Sequence, residues 1–334
     1  MKISVKGLGG TYEVCIEENL LKRLPLKPDR PTFLLSDDGI PTQYIETAKD
    51  TLKPKLTRVV PAGEKAKSLK VYEALVHEME KAELGRDCRI VALGGGVIND
   101  LGGFLAATYK RGVELILIPT TLLSMADACI GGKFALNTKI SKNGIGTFYT
   151  PQHVFIDPET LRTLPKEHLA NGMAEIVKIA LVRDGDFYRK LCEGVSVHDD
   201  AVIARAVDLK RELVEQDPCD VNERALLNFG HTFGHAIESV TDYEYLHGFC
   251  VAAGMKIMAR SKPYERSLQK VLQLYGVDEE ISIPTETLLK QVRFDKKRRD
   301  DSIDLVVVET PGKGYIKRFS MNDLEAFFKE RRSS

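Results

Sequence analysis

The chain has 334 residues, 43% of them apolar, with 48 basic and 48 acidic side chains. That length suits two domains, and the charge balance offers no global field for nucleic acid or an anionic membrane, so neither is expected as a partner. No apolar run approaches the ~20 residues of a membrane-spanning helix, and six scattered cysteines without a CxxC pair argue against a disulfide framework or a cysteine zinc site.

The first residues, MKISVKGLGGTYEV, show a short β-like alternation and no stretch resembling a signal peptide, which points to the cytoplasm. PTFLLSD (31–37) and TRVVPAG (57–63) read as β segments. KSLKVYEALVHEMEKAEL (67–84) reads as an amphipathic helix, and CRIVALGGG (88–96) as a buried strand running into glycines. VINDLGGFLAATYKRG (97–112) is the next helix, and VELILIPTTLL (113–123) a second continuous apolar strand. Strands without polar alternation, separated by helices, imply a parallel sheet covered on both faces. FIDPETLRTLP (155–165) carries Pro158 and Pro165 as breakers. Beyond it the pattern is helix after helix, with one late β segment, IDLVVVET (303–310). The expected organisation is a nucleotide-binding α/β domain over 1–157 and an α-helical domain over 158–334.

GGGVIND (94–100) follows a strand and opens a helix. Glycines let the backbone approach a phosphate, and the helix start supplies free N–H groups. PTT (119–121) ends the next strand at the same edge, and AGEKAK (62–67) ends the preceding β segment with an acid and a lysine. An acid suits ribose hydroxyls and a lysine suits a diphosphate, so a dinucleotide is favoured at this edge.

LLNFGHTFGHAIE (226–238) places two histidines four residues apart. At 100° per residue from Arg224, the positions Arg224, Asn228, His231 and His235 fall within about 60° of one another, opposite Leu226, Phe229, Phe233, Ala236 and Ile237. Such a face ligates, donates protons or holds anions. Gly230 and Gly234 weaken an isolated helix by about 1 kcal/mol each, which implies close approach by another backbone or a ligand. Thr232 stands where the helical zinc proteases have Glu. A zinc site needs a third ligand; His247 and a carboxylate such as Glu175 in GMAEIVK (172–178) are candidates, and spacing alone leaves both helix histidines on the metal.

GGGVxxD, TYKRG, PTTLL, DACIGGK, KNGIGTFYTP, GMAEIVK, LLNFGHTFGH, LHG and DKK follow one another in an order that resembles the 3-dehydroquinate synthase family from about residue 60 to 300. The resemblance implies that family's fold, shared with other sugar-phosphate cyclases and more distantly with metal-dependent polyol dehydrogenases. It implies bound NAD and Zn2+ (or Co2+), and the shikimate-pathway conversion of 3-deoxy-arabino-heptulosonate 7-phosphate to 3-dehydroquinate with loss of phosphate. By resemblance the metal ligands are Glu175, His231 and His247, while His235 joins Lys133, Asp127, Lys178 and Asn143 in substrate and proton handling. Arg111, Lys210, Arg224, Asn228, Lys296 and Lys297 match substrate-binding positions. Asp37, Glu64, Lys67, Gly95, Gly96, Val97, Asp100, Thr120, Thr121, Lys133, Lys142 and Thr163 match the cofactor site. The resemblance also implies a homodimer in which Arg111 reaches the neighbouring subunit's site.

The chain departs from the family pattern at Asn99 (usually Gly), at Ala128 and Cys129 (usually Ser-Ser), at Phe134-Ala135-Leu136, at Asp220 and at Phe249. The changes beside Lys133 are expected to reshape the pocket, leaving reaction type firmer than substrate. The rival readings are a sister cyclase acting on another heptulose phosphate, a metal-dependent NAD polyol dehydrogenase, and a binding protein on a decayed scaffold.

Overall fold

A computed structural model of the chain describes residues 1–296 and 302–330. It divides into two compact units, Met1–Leu164 with His198–Cys219, and Pro165–Val197 with Asp220 onward.

The first unit opens with the antiparallel hairpin β1 (Lys2–Gly7) and β2 (Gly10–Ile16). Then follow β3 (Thr32–Asp37), α1 (Thr42–Leu52), β4 (Leu56–Val60), α2 (Leu69–Lys81), β5 (Arg89–Gly94), α3 (Gly96–Thr108) and β6 (Glu114–Pro119). A small hairpin, β7 (Lys133–Leu136) and β8 (Ile145–Phe148), precedes β9 (His153–Ile156). The main sheet has seven strands in the order β1-β2-β9-β6-β5-β3-β4, parallel throughout except for the β1–β2 pair. β3 and β5 are buried along their whole length, as continuous apolar strands must be when both faces are covered. On one face Leu34, Val91, Leu93, Ile116 and Ile118 pack with Ile45 and Ala48 of α1. On the other, α3 lies so close that a Cβ on Gly102 would stand 2.7 Å from the Ala92 methyl.

The chain then enters the second unit as α4 (Lys166–Arg183) and α5 (Gly185–Glu193), before α6 (Asp200–Gln216) returns to the first. α7 (His231–Val240), α8 (His247–Ala259), α9 (Glu265–Leu274) and α10 (Thr285–Lys296) continue the second unit, followed by the antiparallel pair β10 (Ser302–Thr310) and β11 (Lys313–Ser320) and by α11 (Met321–Glu330). α4 is buried without a break from Ala170 to Val182, because its sequence is apolar on every side except at a few positions. The polar exceptions, Asn171, Glu175 and Lys178, recur at three- and four-residue spacing and so share one face. No described helix is long and apolar enough to cross a membrane.

The expected helix through Arg224 is not continuous. Glu223–Asn228 is a short 3-10 segment, and Gly230, at φ +78°, breaks the chain before α7 begins at His231. A single angular count from Arg224 to His235 therefore does not apply, and of the four polar positions only His231 and His235 keep their predicted helical relation.

Candidate active site

Within the first unit the expected cofactor residues gather at the carboxyl edge of the sheet. Register pairs Asp37 with Val60 and Gly94 with Pro119, so the loops after β3, β4, β5 and β6 leave from one line. The chain moves outward from β3 in opposite directions through β4 and β5, and such a switch point is where open parallel sheets bind nucleotides. Asp37 is buried and accepts the Gly39 N–H at 2.9 Å; burial pushes its carboxyl above the ordinary value. Lys67 is buried and hydrogen-bonded to Asp100, with Glu64 at 3.7 Å. Glu64 in turn accepts from the Asn137 amide at 2.8 Å.

Two observations mark this edge as a cradle. The Thr120 hydroxyl is buried with no hydrogen-bond partner among the described residues. At Gly96, the first residue of α3, a Cβ would meet only the Ala128 methyl, at 3.8 Å. Packing does not demand glycine there, whereas a diphosphate on the helix start would. Gly95, Val97 and Thr121 adjoin it, partly exposed. Lys133, Lys142, Asn143 and Thr163 are exposed; Thr163 sits beyond β9, 3.2 Å from the Tyr44 hydroxyl.

Two of the departures, Asn99 and Phe134, have local explanations. The Asn99 amide donates to the Ser124 hydroxyl, tying α3 to the widened turn Ser124–Ala128 that carries Asp127. Phe134 is buried over Gly103 of α3, so its bulk fills packing space on the side of β7 opposite exposed Lys133. Burial pushes the Cys129 thiol up to about 12, which makes it inert. Asp127 and Lys210, the latter on α6, form an ion pair at 2.6 Å. Arg111 is exposed in a left-handed backbone conformation, φ 68°.

The second unit holds the metal candidates. Glu175 is 3% exposed on α4, with one carboxylate oxygen held by Lys178. Its other oxygen is buried without a hydrogen-bond partner among the described residues. Toward that oxygen point the Nε2 atoms of His231, at 3.8 Å, and His247, at 3.6 Å, both too long for hydrogen bonds. Ligand atoms of the three residues lie within 4.8 Å of one another. Two imidazole nitrogens and a carboxylate oxygen form a donor set suited to a zinc-type ion, and an orphaned buried oxygen at their focus fits that ion's charge. Burial first, then Lys178 and the neighbouring histidines, push His231 well below the ordinary imidazole value, so its ring is neutral. Burial acts the same way on His247, but Glu238 and Glu175 outweigh it and hold that ring above the ordinary value. His235 is exposed and lies outside this trio, its ring centroid 5.3 Å from that of His231. Arg224 is buried and Asn228 exposed. Lys296 ends α10 with its side chain undescribed, and Lys297 lies outside the described residues.

Glycines set the geometry of this centre. A Cβ on Gly234 would stand 3.0 Å from the Val251 Cα, and one on Gly254 would fall 2.0 Å from the Gly230 carbonyl oxygen. α7 and α8 thus meet backbone to backbone, which brings His231 and His247 together. The close approach implied by Gly230 and Gly234 is to another helix. Asn171, one turn before Glu175, accepts the Gly248 N–H at 2.6 Å and fixes the start of α8 against α4. Sequence reasoning gave no role to Asn171 or to Glu238, although Glu238 stands three residues after His235, one turn further along the same helix.

A parallel sheet with a nucleotide cradle at its carboxyl edge, in one chain with a helical unit presenting two histidines and a carboxylate to one point, defines an enzyme of the class that uses a nucleotide cofactor together with a divalent metal. Family models for the N-terminal and C-terminal parts of 3-dehydroquinate synthase match residues 57–171 and 172–298. The 3-dehydroquinate synthase of Acidithiobacillus ferrooxidans is 38% identical over 312 residues, covering 86% of this chain and 84% of that one. The chain belongs to the 3-dehydroquinate synthase family. Among solved structures, 2-deoxy-scyllo-inosose synthase in complex with carbaglucose-6-phosphate, NAD+ and Co2+ superposes with a TM-score of 0.89 at 22% identity, over 99% of this chain and 100% of that one. The 2-epi-5-epi-valiolone synthase of Streptomyces hygroscopicus, with NAD+ and Zn2+ bound, gives 0.84 at 26%, over 96% and 97%.

Proposed function

We propose that the chain converts 3-deoxy-arabino-heptulosonate 7-phosphate into 3-dehydroquinate and inorganic phosphate, using NAD and a divalent metal, Zn2+ or Co2+. The observation that carries the reading is the convergence of Glu175, His231 and His247 on one orphaned carboxylate oxygen in a member of this family. Metal and cofactor, when bound, supply Lewis acidity at substrate hydroxyls and a transient hydride acceptor. NAD and metal in the two structurally similar cyclases support the same pair here.

The chain's own residues then have distinct tasks. The N–H groups at the start of α3, with Gly95, Gly96 and Val97, receive the diphosphate, and Thr120 and Thr121 donate beside them. Asp37 and Glu64 accept from ribose hydroxyls, while Lys67 and Asp100 set the charge at the edge between them. Lys178 neutralises one oxygen of Glu175, leaving the other as the ligand. Arg111, Lys133, Lys210, Arg224, Asn228, Lys296 and Lys297 hold the substrate's phosphate and carboxylate by charge-assisted and amide contacts. Asp127 orients Lys210, and Asn143, Lys142 and Thr163 complete the polar surround. His235 moves a proton at its ring nitrogen. Cytoplasmic location is in keeping with six free cysteines, and the reading includes a homodimer.

Phosphate release from the keto-acid phosphate is the decisive assay. It should proceed with metal and NAD, without net NADH, and stop on chelation until Zn2+ or Co2+ is returned. Turnover of sedoheptulose 7-phosphate in its place would make the chain a sister cyclase, and accumulating NADH would make it a polyol dehydrogenase.

A further inference from the structure

The helix α7 carries a buried carboxylate to which the metal reading assigns no task. Glu238 is 4% exposed, and its Oε1 lies 3.0 Å from Nδ1 of His247. The opposite nitrogen of the same ring, Nε2, is the one that points at the orphaned oxygen of Glu175. A neutral imidazole carries one proton, and an acceptor beside Nδ1 places it there. Nε2 is then the lone pair left for a cation. His231 is arranged in the same sense by a weaker acceptor, the Phe229 carbonyl, 3.4 Å from its Nδ1.

We infer that Glu238 is a positioning residue for the metal: it fixes the tautomer and ring plane of His247 and raises the basicity of Nε2, without itself entering the coordination shell. The inference rests on Glu175, His231 and His247 being the ligands. Geometry favours it on two further grounds. His247 is the first residue of α8, so its ring lacks a preceding helical turn to hold it and depends on a side-chain contact. Glu238 lies in the packed part of α7, between buried Ile237 and the end of the helix, where its own freedom is small. Carboxylates in this relation to a ligating histidine typically contribute about 10- to 100-fold in metal affinity.

A rival arrangement exists in the same structure. His235, Glu238 and His247 also bring ligand atoms within 4.8 Å of one another, and in that arrangement Glu238 would be a ligand.

Direct measurement of Co2+ binding to the full chain separates these cases. Chelator competition gives the affinity, and the visible absorption and X-ray absorption of bound Co2+ report its geometry and imidazole count. In Glu238→Ala the affinity should fall by about 10- to 100-fold while bound Co2+ keeps two imidazoles and its spectrum. Glu238→Gln, which keeps an acceptor oxygen and the volume, should lose less; it also serves if the alanine variant does not fold. An affinity unchanged in both variants would overturn the inference. So would a changed spectrum with one oxygen ligand lost, which would place Glu238 on the metal. If wild type binds no Co2+, or Glu175→Ala binds it as well as wild type does, the metal reading itself falls and this inference with it.

Discussion

Asp100 shows how a single carboxyl ties the cofactor edge to solution conditions. Burial is the largest influence on it and, against the pull of Lys67, pushes its carboxyl up to about 6. In the unfolded chain an aspartate titrates near 4. Between roughly pH 4 and 6 the folded chain therefore binds the extra proton, so this group's contribution to stability is fully present below that window, is lost as pH rises through it, and stays lost above. The expected outcome in cofactor-free protein is a urea midpoint for wild type that falls, relative to Asp100→Asn, between pH 4 and 6.5. Parallel profiles would remove Asp100 as the titrating group. At this scale the sequence offered a set of glycines and polar residues at strand ends, and Gly, Asp and Thr recur there for turn geometry alone as readily as for a ligand. What spacing could not do was sort His231 from His235. Both sit on one side of α7 and near His247, and what divides them is the placement of Glu175 by α4, beside His231. Glu238 went unread for the opposite reason: an acid near a helix end is ordinarily solvated, and only burial gives it meaning.

At the scale of elements, the strands β3, β5 and β6 were legible from continuous apolar runs, and α2 from its amphipathic period. β7, β8 and β11 were not, because short or polar strands carry little pattern: five residues of β11 are exposed among its eight. The break at Gly230 escaped for a related reason, since a helical count has no sign for a left-handed residue. These glycines make a mechanical prediction. Any side chain on Gly254 would be driven into the Gly230 carbonyl at 2.0 Å and the Gly234 nitrogen at 3.0 Å, both backbone atoms that cannot swing aside. Gly254→Ala should therefore force α7 from α8, costing about 1–3 kcal/mol or more by overpacking, and should weaken Co2+ binding although it touches no ligand. Thermal unfolding and chelator competition on the same sample check the two effects. A variant as stable as wild type, with equal Co2+ affinity, would show that the helices have slack the distances deny.

At the scale of the whole molecule, linear reading places one boundary near residue 157, whereas the described chain leaves the first unit after Leu164, returns to it over His198–Cys219 and leaves again. No local pattern marks a return of that kind, since α6 looks like any amphipathic helix among its neighbours. Its consequence is chemical, because the return carries Lys210 to Asp127. The proposed homodimer makes a further demand on chain organisation. Arg111 stands exposed at the end of α3 in a conformation that only its loop dictates, and no described partner consumes its charge. If that guanidinium serves the neighbouring subunit, two dead variants should revive each other. Arg111→Ala keeps an intact His231, and His231→Ala keeps an intact Arg111. In a mixed dimer one site then joins the intact metal ligand of one subunit to the intact arginine of the other, while the second site lacks both. Random mixing makes half the dimers mixed, so about one quarter of all sites should be active. Co-refolding the two inactive variants in equal amounts should therefore restore phosphate release to about a quarter of the wild-type level, with the particle at twice the mass of the chain. If each subunit used its own Arg111, every site in every combination would lack one group, and mixing would restore nothing.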